Sequence, residues 1–342
     1  MLNHLELLCN TNGISGHEKD VRKKIEMLLN GQCDYRVDAA GNLLVAKKGK
    51  KTPEKKIMIS AHMDEVGFII TFIQEDGTLR FSPVGGINPE VAAGRQVLIG
   101  EENISGVIGT KPIHLQSKEE REQKLSFEQM FIDIGADSRE QASKIVQLGD
   151  SVCFKSDFVP FGNRKVKAKA MDDRFGCAAL VRLLLEENIE YDFTAAFVTQ
   201  EEVGLRGAKA AAYQINPDIS LVIEATTAVD LAGVEEYKRV CELDKGPVLS
   251  FMDARTVYDK ELYQLGFCIA AEHQIPCQTK SLVVGGNDSG AISQSRGGVR
   301  CLAISLPCRY IHSPSCVASV NDMEASYQLL YHLLMDGRIM QV

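Results

Sequence analysis

His62 and Asp64 stand one residue apart, directly after the apolar run 57–61. The same arrangement recurs along the chain. Gln200, Glu201 and Glu202 follow the run 193–199, Glu224 follows 219–223, and Arg309, His312 and Ser313 follow 300–306. Met171-Asp172-Asp173 comes just before a long helical pattern. Carboxylates buried together without compensation cost on the order of several kcal/mol each, or take up protons. A cation resolves that conflict. Imidazole and carboxylate together suit Zn²⁺, Co²⁺ or Mn²⁺, whereas an all-oxygen set would favour Mg²⁺ or Ca²⁺. His62, Asp172, Glu202, Glu224 and His312 together carry three negative charges, from Asp172, Glu202 and Glu224. Two divalent cations and one hydroxide balance them, which is the charge state of a two-metal hydrolase with ions ~3.5–4 Å apart gripping one water.

Each fragment has a plainer explanation. His-x-Asp recurs by accident, and Glu-Glu after a strand is usually a solvated turn. Asp-Asp-Arg before a helix reads as an N-cap with dipole complementarity. His312 beside Pro314 is a loop histidine on its own, and "GGNDSGAI" (285–292) reads as a turn needing positive φ. What favours chemistry is the shared placement: nearly all these groups fall at the carboxyl ends of buried strands, the edge of an open α/β sheet where ligands bind.

The elements that must supply that edge are legible. "GHEKDVRKKIEMLLNG", "DRFGCAALVRLLLEEN", "GLRGAKAAAYQI", "KELYQLGFCIAAEHQI" and "NDMEASYQLLYHLLMDG" carry helical spacing, the last capped by Asn321 or Asp322. "FTAAFVT", "DISLVIEAT" and "VRCLAISLP" read as buried strands between them. Alternation of this kind predicts an α/β fold with a mostly parallel sheet flanked by helices. From about Gly67 to Phe161 short strand-like runs alternate with turn signals, which predicts a small all-β barrel or sandwich. The expected organisation is one α/β domain, residues 1–66 and 162–342, split by an inserted β-barrel domain at 67–161. "SKEEREQK" (117–124) is expected to be a mobile surface loop.

Composition narrows the setting. The chain has 342 residues, 45% hydrophobic and 25% charged, with net charge −8. That acidity offers no broad basic surface, so nucleic acid and anionic membranes are not expected partners. No run approaches the ~20 apolar residues a membrane span needs, and the N-terminus does not read as a signal peptide. Ten cysteines without a C-x-x-C pair read as reduced thiols, and the expected location is cytoplasmic. His17-Glu18 opens like H-E-x-x-H, but Val21 occupies the second histidine position. No G-x-S-x-G elbow, Walker A loop or G-x-G-x-x-G fingerprint is present. His4, His17, His273 and His332 lack a neighbouring ligand pattern, and His114 in the insertion stays unassigned.

"SAHMDEVGFII", "AKAMDDRFGCAAL", "TQEEVGLRGAKAAA", "GGNDSGAI" and "RYIHSP", in this order, closely resemble the M42 family of metallo-aminopeptidases, some of which have carried the labels endoglucanase M or deblocking aminopeptidase. The resemblance covers essentially the whole chain. It implies a zinc-peptidase-like catalytic domain and two divalent ions per chain, Zn²⁺ first, with Co²⁺ or Mn²⁺ as alternatives. It assigns His62, Asp172, Glu202, Glu224 and His312 to the metals, Asp172 bridging both, with Asp64 orienting His62 and a cis peptide after Asp172. Glu201 becomes the general base that activates a water against the peptide carbonyl. One metal would polarise the carbonyl oxygen and the other would hold the substrate's free α-amine. At position 224 the family commonly has Asp, so this chain's Glu reaches one methylene further. Its "GGNDSG" departs mildly from "GGTDAG" and keeps Asp288, which with Arg309 is a candidate substrate-binding residue; Arg255 is a second arginine able to favour acidic substrates. The resemblance also implies a homo-oligomer built from dimers, up to a hollow dodecamer with the insertion at its interfaces.

The alternatives are another two-metal hydrolase, such as a deacylase or carboxypeptidase, a glycoside hydrolase, and a scaffold that has lost catalysis. A glycoside hydrolase needs two carboxylates and aromatic platforms. This chain has no Trp and 6% aromatics, and two histidines have no role in that mechanism.

Overall fold

The computed structural model describes residues 1–342. In chain order the strands are β1 (Asp34–Val37), β2 (Leu43–Lys47), β3 (Ile57–His62), β4 (Gly67–Ile73), β5 (Leu79–Val84), β6 (Gln96–Ile99), β7 (Ile104–Thr110), β8 (Met130–Asp133) and β9 (Ser151–Phe154). There follow β10 (Val159–Phe161), β11 (Lys165–Ala168), β12 (Phe193–Val198), β13 (Ile219–Thr227), β14 (Val248–Leu249), β15 (Gln278–Thr279), β16 (Arg300–Arg309) and β17 (Cys316–Ser319). One large sheet runs β1-β2-β12-β3-β13-β16-β17-β11-β10, with β14 and β15 attached beside β16. Its four central strands, β12-β3-β13-β16, are parallel. Both margins are antiparallel.

Alternate residues of β2 and the central strands enter two different cores. Leu43, Ile57, Ile59, Ala195, Phe197, Ile219 and Leu221 pack with Phe175, Leu180 and Leu184 of helix Met171–Leu185 and with Leu330 and Leu334 of helix Val320–Met335. Leu44, Met58, Ala196, Val198 and Val222 pack against Ala208, Ala211 and Ala212 of helix Arg206–Ile215. Burial on both faces is why these strands read as continuous apolar runs. β3 is buried from end to end.

β4 to β9 close into a barrel in the order β4-β5-β8-β7-β6-β9 with its own core around Phe68, Phe81 and Phe154. β10, which falls inside the expected 67–161 insertion, pairs with β11 and lies in the large sheet instead. No helix is long and apolar enough to cross a membrane.

Several local expectations change. β13 runs on to Thr227, so Glu224 lies within a strand rather than at its end, and β16 continues to Arg309. The C-terminal helix is preceded by Ser319, not by a cap at Asn321 or Asp322. Asp322 instead accepts the amides of Asp244 and Gly246, at 2.7 and 2.8 Å. Residues Lys118–Glu122 form a short helix, not a loop. Ser117 and Glu120 build a reciprocal capping box that satisfies its first amides, and Lys111 pairs with Glu120.

Candidate metal centre and its relatives

β3 delivers His62 to the carboxyl edge of the parallel strands, and the turn after β12 delivers Glu201 and Glu202 beside it. β13 brings Glu224, the loop after β16 brings His312, and the first residues of helix Met171–Leu185 bring Asp172 and Asp173 across a cis peptide bond. The sequence-distant groups therefore meet. Nε2 of His62 lies 3.0 Å from Asp172 Oδ1 and 3.5 Å from Glu224 Oε1. Nε2 of His312 lies 3.4 Å from Asp172 Oδ2 and 3.1 Å from Glu202 Oε1. The two oxygens of Asp172 thus face different imidazoles. His62-Asp172-Glu224 and Asp172-Glu202-His312 each offer ligand atoms within 4.8 Å of one another, as do His62, Glu201 and Glu202.

The ring tautomers test whether this set fits metal. Nδ1 of His62 meets the Asp64 carbonyl at 3.0 Å, and Nδ1 of His312 meets the Gly86 carbonyl at 2.8 Å. A carbonyl only accepts, so each Nδ1 carries a proton, and in its neutral form each ring turns its Nε2 lone pair towards carboxylate oxygens. Lone pairs facing lone pairs repel unless a cation or an extra proton lies between them. Glu202 Oε1 is buried without a hydrogen-bond donor although His312 Nε2 is 3.1 Å away. Donors of this chemistry, with each Nδ1 held by a carbonyl, fit divalent transition metals.

The electrostatics show the same demand for positive charge, met by protons when no metal is bound. Burial lowers the pKa of His62, but Glu224, Asp172 and Asp64 outweigh it and hold the ring well above 6.5. Burial likewise opposes charge on His312, and Asp172 and Glu202 carry it up to about 11. Asp172 is pulled well below the usual carboxylate range, because His312 and His62 overcome its burial. Glu201 and Glu224 are pushed well above it, chiefly by burial. Glu202 is also raised by burial, against His312. Asp173 is raised by burial too; it accepts the amides of Gly176 (2.9 Å) and His62 (3.3 Å). A Cβ on Gly176 would sit 2.3 Å from the Asp173 carboxylate, so only glycine admits that approach.

Asp64 is buried against both sides of the site. Oδ1 lies 3.5 Å from His62 Nδ1 and accepts the Glu201 amide at 3.0 Å, while Oδ2 accepts the Glu202 amide at 3.1 Å. Asp288 is 1% exposed and neither of its carboxylate oxygens has a partner. Burial raises it to about 7. Its turn is braced by Asn287, one of the two departures from the common motif. Asn287 donates to the Tyr258 hydroxyl (2.9 Å) and accepts the Ser289 amide (2.9 Å), and Tyr258 donates to Asp253 (2.6 Å). Arg309 lies apart from this group, in a bidentate pair with Asp230 at 2.7 and 2.8 Å. Arg255 is exposed with no carboxylate partner, and its stem lies across Gly286 and Gly290 on either side of Asp288.

Sequence reasoning missed the supports of this centre. Arg174 is fully buried and donates to the Met63 carbonyl, between His62 and Asp64. Gly86 reaches His312 from the segment after β5, so the barrel chain takes part in the site. Neither a backbone carbonyl nor a buried arginine leaves a signal in spacing.

The family model for M42 glutamyl aminopeptidase matches residues 41–329. The chain belongs to the M42 peptidase family. The lysyl aminopeptidase of Pyrococcus furiosus is 31% identical over 94% of this chain and 93% of its own. A TET aminopeptidase from a marine sediment thaumarchaeon superposes with a TM-score of 0.94 at 31% identity, covering 99% of this chain and 98% of its own. The TET1 peptidase of Pyrococcus horikoshii, which can assemble into a tetrahedron or a large octahedral shell, gives 0.86 at 34% identity, with 98% and 99% covered. This M42 peptidase is accordingly an aminopeptidase, a hydrolase of peptide bonds. The deacylase, carboxypeptidase and glycosidase alternatives are not favoured. Peptidases of this family are metal-dependent, and the triads described above are groups able to bind metal.

Proposed function

We propose that this chain removes N-terminal residues from peptides with a free α-amine, using two divalent ions and Glu201 as general base. The observation that carries the proposal is Asp172, whose two oxygens each face the Nε2 of a different imidazole while each ring's Nδ1 is held by a backbone carbonyl. His62, Asp172 and Glu224 would hold one ion, and Asp172, Glu202 and His312 the other, zinc before cobalt or manganese. Bound there, such ions supply Lewis acidity that polarises a peptide carbonyl and acidifies water.

The remaining steps belong to the protein. Glu201, whose pKa burial raises, takes a proton from the attacking water and returns it to the leaving amine. Asp64 holds the Glu201 and Glu202 amides and so aims both side chains. Asp288, buried with two free oxygens, is the candidate for a further polar contact with substrate. Of the two arginines considered for acidic substrates, Arg309 is neutralised by Asp230, which leaves Arg255 to meet an acidic N-terminal side chain. The division of labour follows the fold: the large-sheet domain, which includes β10, carries catalysis, and the inserted barrel serves as lid and assembly element while lending the Gly86 carbonyl to His312. Ten free thiols fit a cytoplasmic setting. A homo-oligomer is the expected state, read by light scattering.

Glu201→Gln is isosteric and lies outside the two principal ligand triads. It is expected to keep the metal content while kcat on aminoacyl-anilides falls by about 10²–10⁴. A wild-type rate in that variant would remove Glu201 from the role.

A further inference from the structure

We infer that Glu18 and Ser15 are positioning residues that fix the turn carrying Glu201, an inference that rests on the reading of Glu201 as the base. The pair stands immediately before helix Lys19–Leu29 with the spacing Ser-x-x-Glu. That spacing ordinarily builds a capping box, in which the serine hydroxyl and the glutamate carboxylate satisfy the first amides of the helix reciprocally. Here neither does so. Glu18 is itself the residue preceding the helix, and no side chain caps it.

Both side chains point into the catalytic domain instead. Ser15 Oγ donates to Asp64 Oδ2 at 2.6 Å. Glu18 Oε1 accepts the Gly16 amide at 2.7 Å and the Gln200 amide at 3.1 Å. Asp64 in turn accepts the amides of Glu201 and Glu202. Three consecutive N–H groups, those of Gln200, Glu201 and Glu202, are therefore held by two buried carboxylates. Gln200 adopts φ of +56°, a left-handed conformation that a non-glycine residue keeps only when its surroundings impose it. Glu18 supplies the acceptor at that residue's amide. Ser15 restrains the oxygen of Asp64 that the Glu202 amide uses. The helix start gives up its local cap for contacts with residues far along the chain, and such a break with local preference marks a functional constraint.

The consequence is kinetic. A base displaced by about 1 Å loses on the order of 100-fold in rate without losing its chemistry. Glu18 touches neither imidazole and none of the proposed ligand side chains, so the loss should fall on kcat alone. Three variants are compared on an aminoacyl-anilide, with KM and bound zinc per chain measured beside kcat. Glu18→Ala removes the acceptor, and Glu18→Asp withdraws it by one methylene; both are expected to lower kcat by about 100-fold with KM and zinc content unchanged. Glu18→Gln keeps an oxygen at the same reach and is expected within about tenfold of wild type. If Glu18→Ala does not fold, the contrast between Asp and Gln carries the test. The inference is overturned if Glu18→Asp turns over at the wild-type rate, or if kcat, KM and zinc content fall together in all three variants. Glu201→Gln runs in the same assay. Normal turnover there rejects the base assignment, whereas an inactive Glu201→Gln beside a fully active Glu18→Asp rejects only the positioning role.

Discussion

Replacing Arg174 by Met should show how strongly the metal edge depends on a single buried cation. Arg174 is wholly enclosed. Nε donates to Met63 O at 2.8 Å, Nη1 to the carbonyls of Leu8 and Thr11, and Nη2 to Gly13 O and Glu65 Oε1 at 3.3 and 3.4 Å. It thereby ties the N-terminal helix and its following loop to the turn between His62 and Asp64. Methionine fills similar volume but donates nothing, so four carbonyls lose a charged donor. Glu65 keeps Lys169 Nζ at 2.6 and 2.7 Å and the Gly13 amide at 3.0 Å, which limits the damage to its carboxylate. Removing one member of a buried ionic network costs about 3–5 kcal/mol. With an unfolding entropy of about 0.7 kcal/mol/K for a chain of this length, a loss of about 4 kcal/mol lowers Tm by about 6 °C. Differential scanning calorimetry of the metal-free protein measures this directly. Zinc affinity should fall with it, because the Met63 carbonyl sits between His62 and Asp64. A variant melting within 1 °C or so of wild type would refute the reasoning.

Three further outcomes follow from the same geometry. Asp172→Asn should abolish binding of both zinc equivalents while the protein stays folded, as read by mass spectrometry and circular dichroism; two retained equivalents would remove Asp172 as the shared ligand. In the metal-free protein His312 is raised from 6.5 to about 11 by Asp172 and Glu202 against its burial. The stability it contributes is therefore complete below pH 6.5 and is lost as pH rises towards about 11. Zinc must displace that proton and the one on His62, so calorimetry in buffers of different ionisation enthalpy near pH 7.5 should report proton release on zinc binding, and no release would contradict the raised imidazole pKa values. Arg255→Met should lower kcat/KM for a glutamyl-anilide by roughly tenfold or more while leaving a leucyl-anilide unchanged, and equal loss on both would deny Arg255 a role in specificity.

The candidate site was legible in its residues because buried imidazoles and carboxylates are costly residue types at costly places. His62, Asp172, Glu202, Glu224 and His312 interrupt or border buried apolar runs, and nothing in a hydrophobic core explains them. The alternating strands and helices were legible for a related reason: strands buried on both faces must be apolar throughout. Strand ends were less so. Glu224 and Arg309 continue β13 and β16 because a parallel ladder and the pairing of β16 with β17 extend past the apolar run, and hydrogen bonding between backbones does not register in side-chain type. The segment 117–124 misled through its charge, since a capping box satisfied its amides locally.

What tertiary structure alone decided was which groups support the site. Ser15 and Glu18 carry a local capping pattern, yet their oxygens serve Asp64 and Gln200. Arg309 and Arg255 are equivalent as residue types, and only the fold places Asp230 against one of them. The physical reason is that a sequence records the chemical capacity of each side chain, whereas the choice among many possible hydrogen-bond partners is made by distances that exist only once the chain has closed on itself.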